Sequence, residues 1–311
     1  MYSMSSLKNK NKIKDGICGL IVGDALGVPV EFESRSELEK NPVKDMRGYG
    51  TYNMPPGTWS DDSSMAIATM ASIVNSQSID YDDLMREFLE WIENGKYTQY
   101  NDTFDFGNTT SKGIFNYKYG IEPILCGGNT ERDNGNGSLM RILPLAYIPD
   151  ITYETIENVS GLTHRHIRSK IACVFYIEIA KSMLSNDLSI DEHIKSAGDK
   201  IRKHYEDYPD ELCHFDNIFN DTLDDVRSGG YVIDTFESVI YCLKNTGNYK
   251  DAVLKAVNLG RDTDTVGAIC GGLAGIYYGF DEIPEEWICE IPKIEKVFEL
   301  CEKYGEYCYG C

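Results

Sequence analysis

Two short acidic segments, Ser60-Asp61-Asp62 and Asp262-Thr263-Asp264-Thr265, lie far apart in the sequence. Each sets carboxylates beside hydroxyls at the start of an apolar, helix-like stretch. Four carboxylates and a few hydroxyls, with no histidine or cysteine among them, suit hard cations such as Mg²⁺ or Mn²⁺, which take oxygen ligands. A plainer role exists: Ser or Asp can cap a helix, and acidic groups complement its dipole. One carboxylate satisfies a cap. Two adjacent carboxylates followed by two serines exceed it, and Asp at i and i+2 can face one centre when the backbone is extended. If the fold joins the two segments, they form a metal centre.

Other segments offer complementary chemistry. Gly135-Asn136-Gly137-Ser138-Leu139-Met140-Arg141 is a loop entering an apolar stretch, and backbone N–H groups in such a loop can cradle phosphates. It lacks the Gly-Lys-Ser/Thr of a Walker A, and alone it reads as a turn. Glu31 follows Gly27 and Pro29 at the end of a glycine-lined helix, as a solvated glutamate or a catalytic carboxylate. Asp105 and Asn108 precede another helix, where N-capping would also explain them. His164 heads a helix without a Ser or Cys partner motif, and lone histidines are more often structural.

The elements that must position these groups are helices. Apolar residues at three- and four-residue spacing predict helices over Lys12–Leu26, Ser64–Ile73, Tyr81–Ile92, His166–Leu184 and Phe236–Leu243. Further helices are expected over Ile190–His204, Tyr249–Asn258, Asp264–Tyr278 and Pro292–Tyr304. Glycine-rich connectors fall at Arg47–Thr58, Cys126–Ser138 and Arg227–Tyr231. β-alternation is scarce and no linker divides the chain, so one all-α domain over residues 1–311 is expected. Gly19, Gly23 and Gly27 recur every four residues, as do Gly267, Gly271, Gly275 and Gly279. Glycine inside a helix costs about 1 kcal/mol relative to alanine, so the spacing implies a groove for close helix approach. The two grooved helices are expected to pack in the protein centre, against each other.

Composition sets limits. The 311 residues carry a formal charge of −20, which argues against nonspecific nucleic-acid binding and against an anionic membrane. No signal-peptide pattern follows the Lys- and Ser-rich Met1–Lys14 stretch, and Val266–Phe280 is too short to span a bilayer, so a cytoplasmic protein is expected. Most of the ten cysteines sit singly in helical patterns as ordinary buried thiols. Cys289, Cys301, Cys308 and Cys311 cluster near the C-terminus; free thiols are favoured there over a zinc or redox site, because the spacing is not that of a familiar finger.

In this order the stretches GLIVGDALGVPVEF, GTWSDDSSMA, FDFGNTT, GNGSLMRILPLA, the His164 region, YVIDTFESVIYCL, AVNLGRDTDTVGAICGGLAGIYYG and IPEEW resemble the ADP-ribosylglycohydrolase family. That family includes dinitrogenase reductase-activating glycohydrolase and the ADP-ribosylarginine hydrolases. The resemblance covers a core of about residues 12–290 and leaves a cysteine-containing extension, 291–311, outside it. It implies a compact orthogonal multi-helix fold around a binuclear centre of two Mg²⁺ or Mn²⁺. The implied ligands are Ser60, Asp61, Asp62, Asp262, Asp264 and Thr265. Asp105, Asn108, the loop Gly135, Asn136, Gly137, Ser138 and Leu139, and His164 then fall at the substrate. Glu31 falls near the substrate ribose, and Glu31 or Asp62 would orient or deprotonate the attacking water.

The activity so implied is metal-dependent hydrolysis of the N- or O-glycosidic bond between ADP-ribose and a modified side chain, with ADP-ribosylarginine favoured. ADP-ribosylserine, poly(ADP-ribose) and O-acetyl-ADP-ribose are alternative substrates. A silent ADP-ribose-binding homologue is a further alternative, and a metal phosphohydrolase lacks supporting motifs. The expected partner is an ADP-ribosylated protein or an ADP-ribose-containing small molecule, met by a monomer.

Overall fold

The computed structural model describes residues 4–310. In chain order the helices are α1 (Met4–Gly27), α2 (Arg35–Lys40), α3 (Asp61–Ser76), α4 (Tyr81–Asn94) and α5 (Asn108–Lys118). Next come α6 (Tyr153–Gly161), α7 (Ile167–Ser185), α8 (Ile190–His204), α9 (Pro209–Leu212) and α10 (Asp216–Phe219). The chain closes with α11 (Val232–Lys244), α12 (Tyr249–Val257), α13 (Thr263–Tyr278), α14 (Glu285–Glu290) and α15 (Ile294–Tyr309). Among the described residues the only β pairings are isolated bridges, Gly128 to His164 and Gly135 to Tyr231, so the fold is all-α.

The glycine stripes decide how the centre is built. A Cβ on Gly23 would lie 2.1 Å from the Gly267 carbonyl oxygen, and one on Gly271 would lie 2.2 Å from the Gly19 oxygen. A Cβ on Gly27 would fall 2.3 Å from Asp264 Cα. The α1 and α13 backbones therefore touch, which is the packing that the two stripes predict. Residue numbers rise along one helix as they fall along the other, so the pair is antiparallel. The C-terminal end of α1 thus meets the N-terminal end of α13, and Thr263 Oγ1 donates to the Gly27 carbonyl at 2.8 Å. Buried tyrosines complete the packing: Tyr249 donates to the Gly19 carbonyl (2.8 Å) and Tyr176 to the Ile269 carbonyl (3.0 Å). Among the described residues no helix is long and apolar enough to cross a membrane, so the stripes serve packing within the fold.

Helix α15 packs on α1 and α3 and buries Val297, Cys301, Tyr304 and Cys308, an i, i+4, i+7, i+11 stripe. Tyr304 donates to the Pro144 carbonyl at 2.9 Å. Burial pushes the Cys301 and Cys308 thiols up to about 12, so both stay neutral. Cys289 is exposed, Cys311 lies outside the described residues, and among the described residues no cysteine joins a group with metal-ligand spacing.

Gly23→Ala should lower stability by about 2–3 kcal/mol, because overpacking against the Gly267 carbonyl outweighs the roughly 1 kcal/mol that alanine gains in helix propensity. A urea titration of the variant reads this as a lower midpoint. Gly247→Ala, where an added Cβ meets open space, should leave the midpoint nearly unchanged.

Candidate active site

The register of α1 against α13 carries the acidic segments to one place. Asp24, one turn before the end of α1, is fully buried. Its carboxylate accepts from the Ser60 N–H (2.9 Å), the Ser63 N–H (3.0 Å) and Ser63 Oγ (2.5 Å). Asp24 thereby fixes the turn that starts α3 and aims Asp62 inward. Burial raises its carboxyl to about 7, and these hydrogen bonds oppose the rise. Carboxylate oxygens of Asp24, Asp62 and Asp264 all lie within 4.8 Å of one another. No sequence motif singles out Asp24 as a site residue. The available signal was a charge on the glycine-lined apolar face of a helix, where no surface role explains it.

A second group, Glu31, Asp262 and Asp264, meets the same distance limit and shares Asp264 with the first. Two loops are pinned together to make it. The Phe32 N–H donates to the Arg261 carbonyl and the Arg261 N–H to the Glu33 carbonyl, each at 2.7 Å. Phe32 (φ 68°) and Arg261 (φ 70°) both occupy the left-handed region, beside Gly260 at φ 81°. Such residues are uncommon there, and the paired loops hold them. Asp262 is held from below by the Ser228 carbonyl (3.0 Å to its N–H) and from the side by Asn136 Nδ2 (2.8 Å). Ser60 Oγ and Thr265 Oγ1 both reach Asp62 Oδ2, at 2.9 and 3.4 Å.

The acidic segments therefore converge, and their residues fit cations. Burial and mutual repulsion push Asp61, Asp62 and Asp264 well above the usual carboxylate range. Asp62 Oδ1 and Asp264 Oδ2 are buried with no hydrogen-bond partner. Orphaned acceptors of this kind are costly unless a proton or a metal ion meets them. Oxygen-only donors with one shared carboxylate could hold hard cations.

Glu31 and Asp262 carry this centre to the wall of a cavity of about 320 Å³, with Asp24, Asp62 and Asp264 buried behind it. Glu31, Asp61, Asp105 and Asp262 line the carboxylate end. Glu31 is 5% exposed, and its Oε2 accepts from Tyr52 Oη at 2.6 Å. Burial, then the Asp105 charge, raise Glu31 to about 9 against that hydrogen bond. The connector before α3 performs this service: Thr51 Oγ1 holds the Glu31 carbonyl (2.7 Å), and Tyr52 packs between Phe32 and Phe104. Tyr52 is a second residue that sequence reasoning missed, because a loop tyrosine has no pattern that names its partner.

The adjoining wall, joined to Asp262 through Asn136, is glycine and histidine. Gly135, Asn136, Gly137 and His164 line the cavity, as does Asn108 at the start of α5. A Cβ on Gly137 would lie 2.6 Å from Thr110 Oγ1 and 2.9 Å from His164 Cε1, so only glycine fits between them. His164 is buried, and burial followed by the Arg141 charge lowers it to about 3; its ring is neutral at physiological pH. Its Nδ1 pairs with Thr163 Oγ1 at 2.9 Å, leaving the Nε2 side toward Gly135. Ser138 and Leu139 differ from the rest of the loop. Ser138 accepts from Ser160 Oγ at 2.9 Å inside the core and Leu139 is fully buried, so neither side chain faces the cavity.

A sequence model of the ADP-ribosylglycohydrolase family matches residues 5–310. The chain is 30% identical over 302 residues to ADP-ribosylarginine hydrolase Tri1 of Serratia proteamaculans (strain 568), across 94% of this chain and 78% of that protein. It is 30% identical over 285 residues to ADP-ribosyl-[dinitrogen reductase] glycohydrolase of Rhodospirillum rubrum, across 89% and 90%. Among solved structures, an ADP-ribosylglycohydrolase-related protein complex shares the fold with a TM-score of 0.83 at 24% identity, covering 97% of this chain and 99% of that one.

The raised carboxyls give a signed pH dependence. Asp24 binds its proton in the folded protein up to about 7 rather than the usual 3.8, and Glu31 up to about 9 rather than 4.5. The folded state thus holds protons that the unfolded chain has released, so the metal-free protein should lose stability as pH rises through this window. Mg²⁺ should raise the melting temperature more at pH 8 than at pH 5, since at the lower pH protons compete for the same oxygens. Differential scanning fluorimetry at the two pH values measures both effects; equal Mg²⁺ shifts would contradict the assignment.

Proposed function

Because the chain belongs to the ADP-ribosylglycohydrolase family, we propose that this cavity cleaves the bond between the distal ribose of ADP-ribose and a modified arginine side chain, releasing ADP-ribose. The observation that carries the reading is the pair of carboxylate groups sharing Asp264, two of whose members, Glu31 and Asp262, line one cavity together with a glycine loop and a neutral histidine. A relative named for ADP-ribosylarginine supports the arginine linkage, and one of similar identity named for ADP-ribosyl-dinitrogen reductase supports a protein carrier.

Ser60, Asp61, Asp62, Asp262, Asp264 and Thr265 would hold two Mg²⁺ or Mn²⁺. Bound there, the ions would supply positive charge that offsets the carboxylates and draws in the ribose hydroxyls and a water. The remaining work falls to the chain. Gly135 to Gly137 offer close backbone approach to the pyrophosphate, and neutral His164 adds a polar edge beside it. Ionised once bound cations offset the surrounding negative charge, Glu31, held by Tyr52, or Asp62 orients the water and takes its proton. The ribose C1–N bond breaks through an oxocarbenium-like state, the water oxygen joins C1, and the departing guanidine nitrogen gains a proton. Asp24 fixes the α3 turn while its carboxylate sits with those of Asp62 and Asp264, and Asn136 fixes Asp262.

EDTA should abolish ADP-ribose release from an arginine-modified protein, and Mg²⁺ or Mn²⁺ should restore it. The Asp62→Ala/Asp264→Ala double variant should lose at least about a hundredfold in kcat. Release persisting in that folded variant rejects the assignment. In a panel of arginine-linked, serine-linked and polymeric ADP-ribose, the arginine linkage should be cleaved fastest.

A further inference from the structure

A second hollow, a solvent-open groove of about 630 Å³, lies on the other side of the loops that carry Asp262 and Gly230. The two hollows are separated by single residues of backbone. Gly229 lines the groove and Gly230 the catalytic cavity; Arg261 lines the groove and Asp262 the cavity. Three guanidinium groups border it: Arg35, Arg227 and Arg261.

These arginines are not equivalent. Arg35 is engaged with Asp225 (3.3 Å) and with the carbonyls of Val226 (2.6 Å) and Leu259 (3.2 Å). Arg227 and Arg261 are exposed, and among the described residues neither side chain makes a hydrogen bond or an ion pair. Asp234 and Glu237 sense the Arg227 charge, and Glu37 senses that of Arg261, but none of the three comes within ion-pair distance. Solitary surface arginines are ordinary. Asp225 and Asp234 also line the groove, but Asp225 is paired with Arg35, so the two unpaired arginines outweigh Asp234 and set up a local attraction for anions in a chain of charge −20.

Position identifies the occupant. The cavity accounts for ADP-ribose itself, with the reacting ribose at the carboxylate end. The departing group leaves from that end, whose rim is Phe32, 65% exposed, hydrogen-bonded through its N–H to Arg261. A modified side chain entering over Phe32 brings its own polypeptide to the groove. We propose that the Arg227–Arg261 groove binds the polypeptide that carries the ADP-ribose, by taking an acidic side chain next to the modified residue. The proposal rests on the glycohydrolase reading and adds a preference for acidic sequence context in the substrate.

The test compares three substrates: the free ADP-ribosylarginine amino acid, and ADP-ribosylarginine peptides flanked by Glu or by Lys. Wild-type protein should prefer the Glu-flanked peptide through KM. Arg227→Ala should raise KM for that peptide about fivefold, as the loss of one exposed charge pair predicts, while leaving the free amino acid unchanged. Arg227→Glu should reverse the preference toward the Lys-flanked peptide, a change that general damage to the fold cannot produce. Equal losses on all three substrates, or no change on any, would overturn the proposal. Wild-type protein inactive even on the free amino acid, with EDTA-insensitive background, would instead sink the arginine-hydrolase reading and the groove's role with it.

Discussion

The direct contact between the α1 and α13 backbones is the constraint on which the rest depends. An added methyl group would fall about 2 Å from a carbonyl oxygen at Gly19, Gly23 and Gly271 alike. Helices packed this closely cannot slide by a residue, because each glycine admits one opposing carbonyl. The fixed register sets Gly27 against Asp264 and so delivers the loop after α1 to the loop before α13. Glu31 and Asp262 come from those two loops. Asp24, projecting from the same helix, then captures the start of α3 and brings in Asp62.

What the packing assembles is electrostatically unfavourable by itself. Asp24, Asp61, Asp62 and Asp264 are buried near one another, and two of their oxygens have no partner. Proteins bury ionisable groups in this way where a ligand of opposite charge compensates. A core of tightly packed helices can bear that cost, since glycine grooves and the long apolar run of α7 supply ample buried contact. Function and stability thus act at adjacent places on one helix. The stripe holding α1 to α13 ends one turn beyond the aspartate that organises the site.

The site is also asymmetric in charge. Its carboxylate end concentrates negative groups, whereas its glycine and His164 end carries none that is ionised at neutral pH. Beyond the loops that carry Gly230 and Asp262, the unpaired Arg227 and Arg261 border a groove in which they outweigh the one unpaired carboxylate, Asp234.

Much of this was legible in the residues themselves. The acidic segments announced oxygen-ligand chemistry by type and spacing, and the glycine stripes announced close helix packing, because both depend on local periodicity. Asp24, the Tyr52 hydrogen bond and the linked left-handed residues Phe32 and Arg261 did not show themselves, since each acts through a partner distant in the chain. The same holds for Ser138 and Leu139: the loop's composition marks a turn, but both side chains are buried, Ser138 against Ser160 of α6 and Cys173 of α7. Sequence alone determined which groups could carry chemistry and which helix faces had to meet, because those follow from residue type and helical period. Only the tertiary structure decided which oxygens share a centre and which side chains turn away, because those depend on one antiparallel register that no single segment encodes.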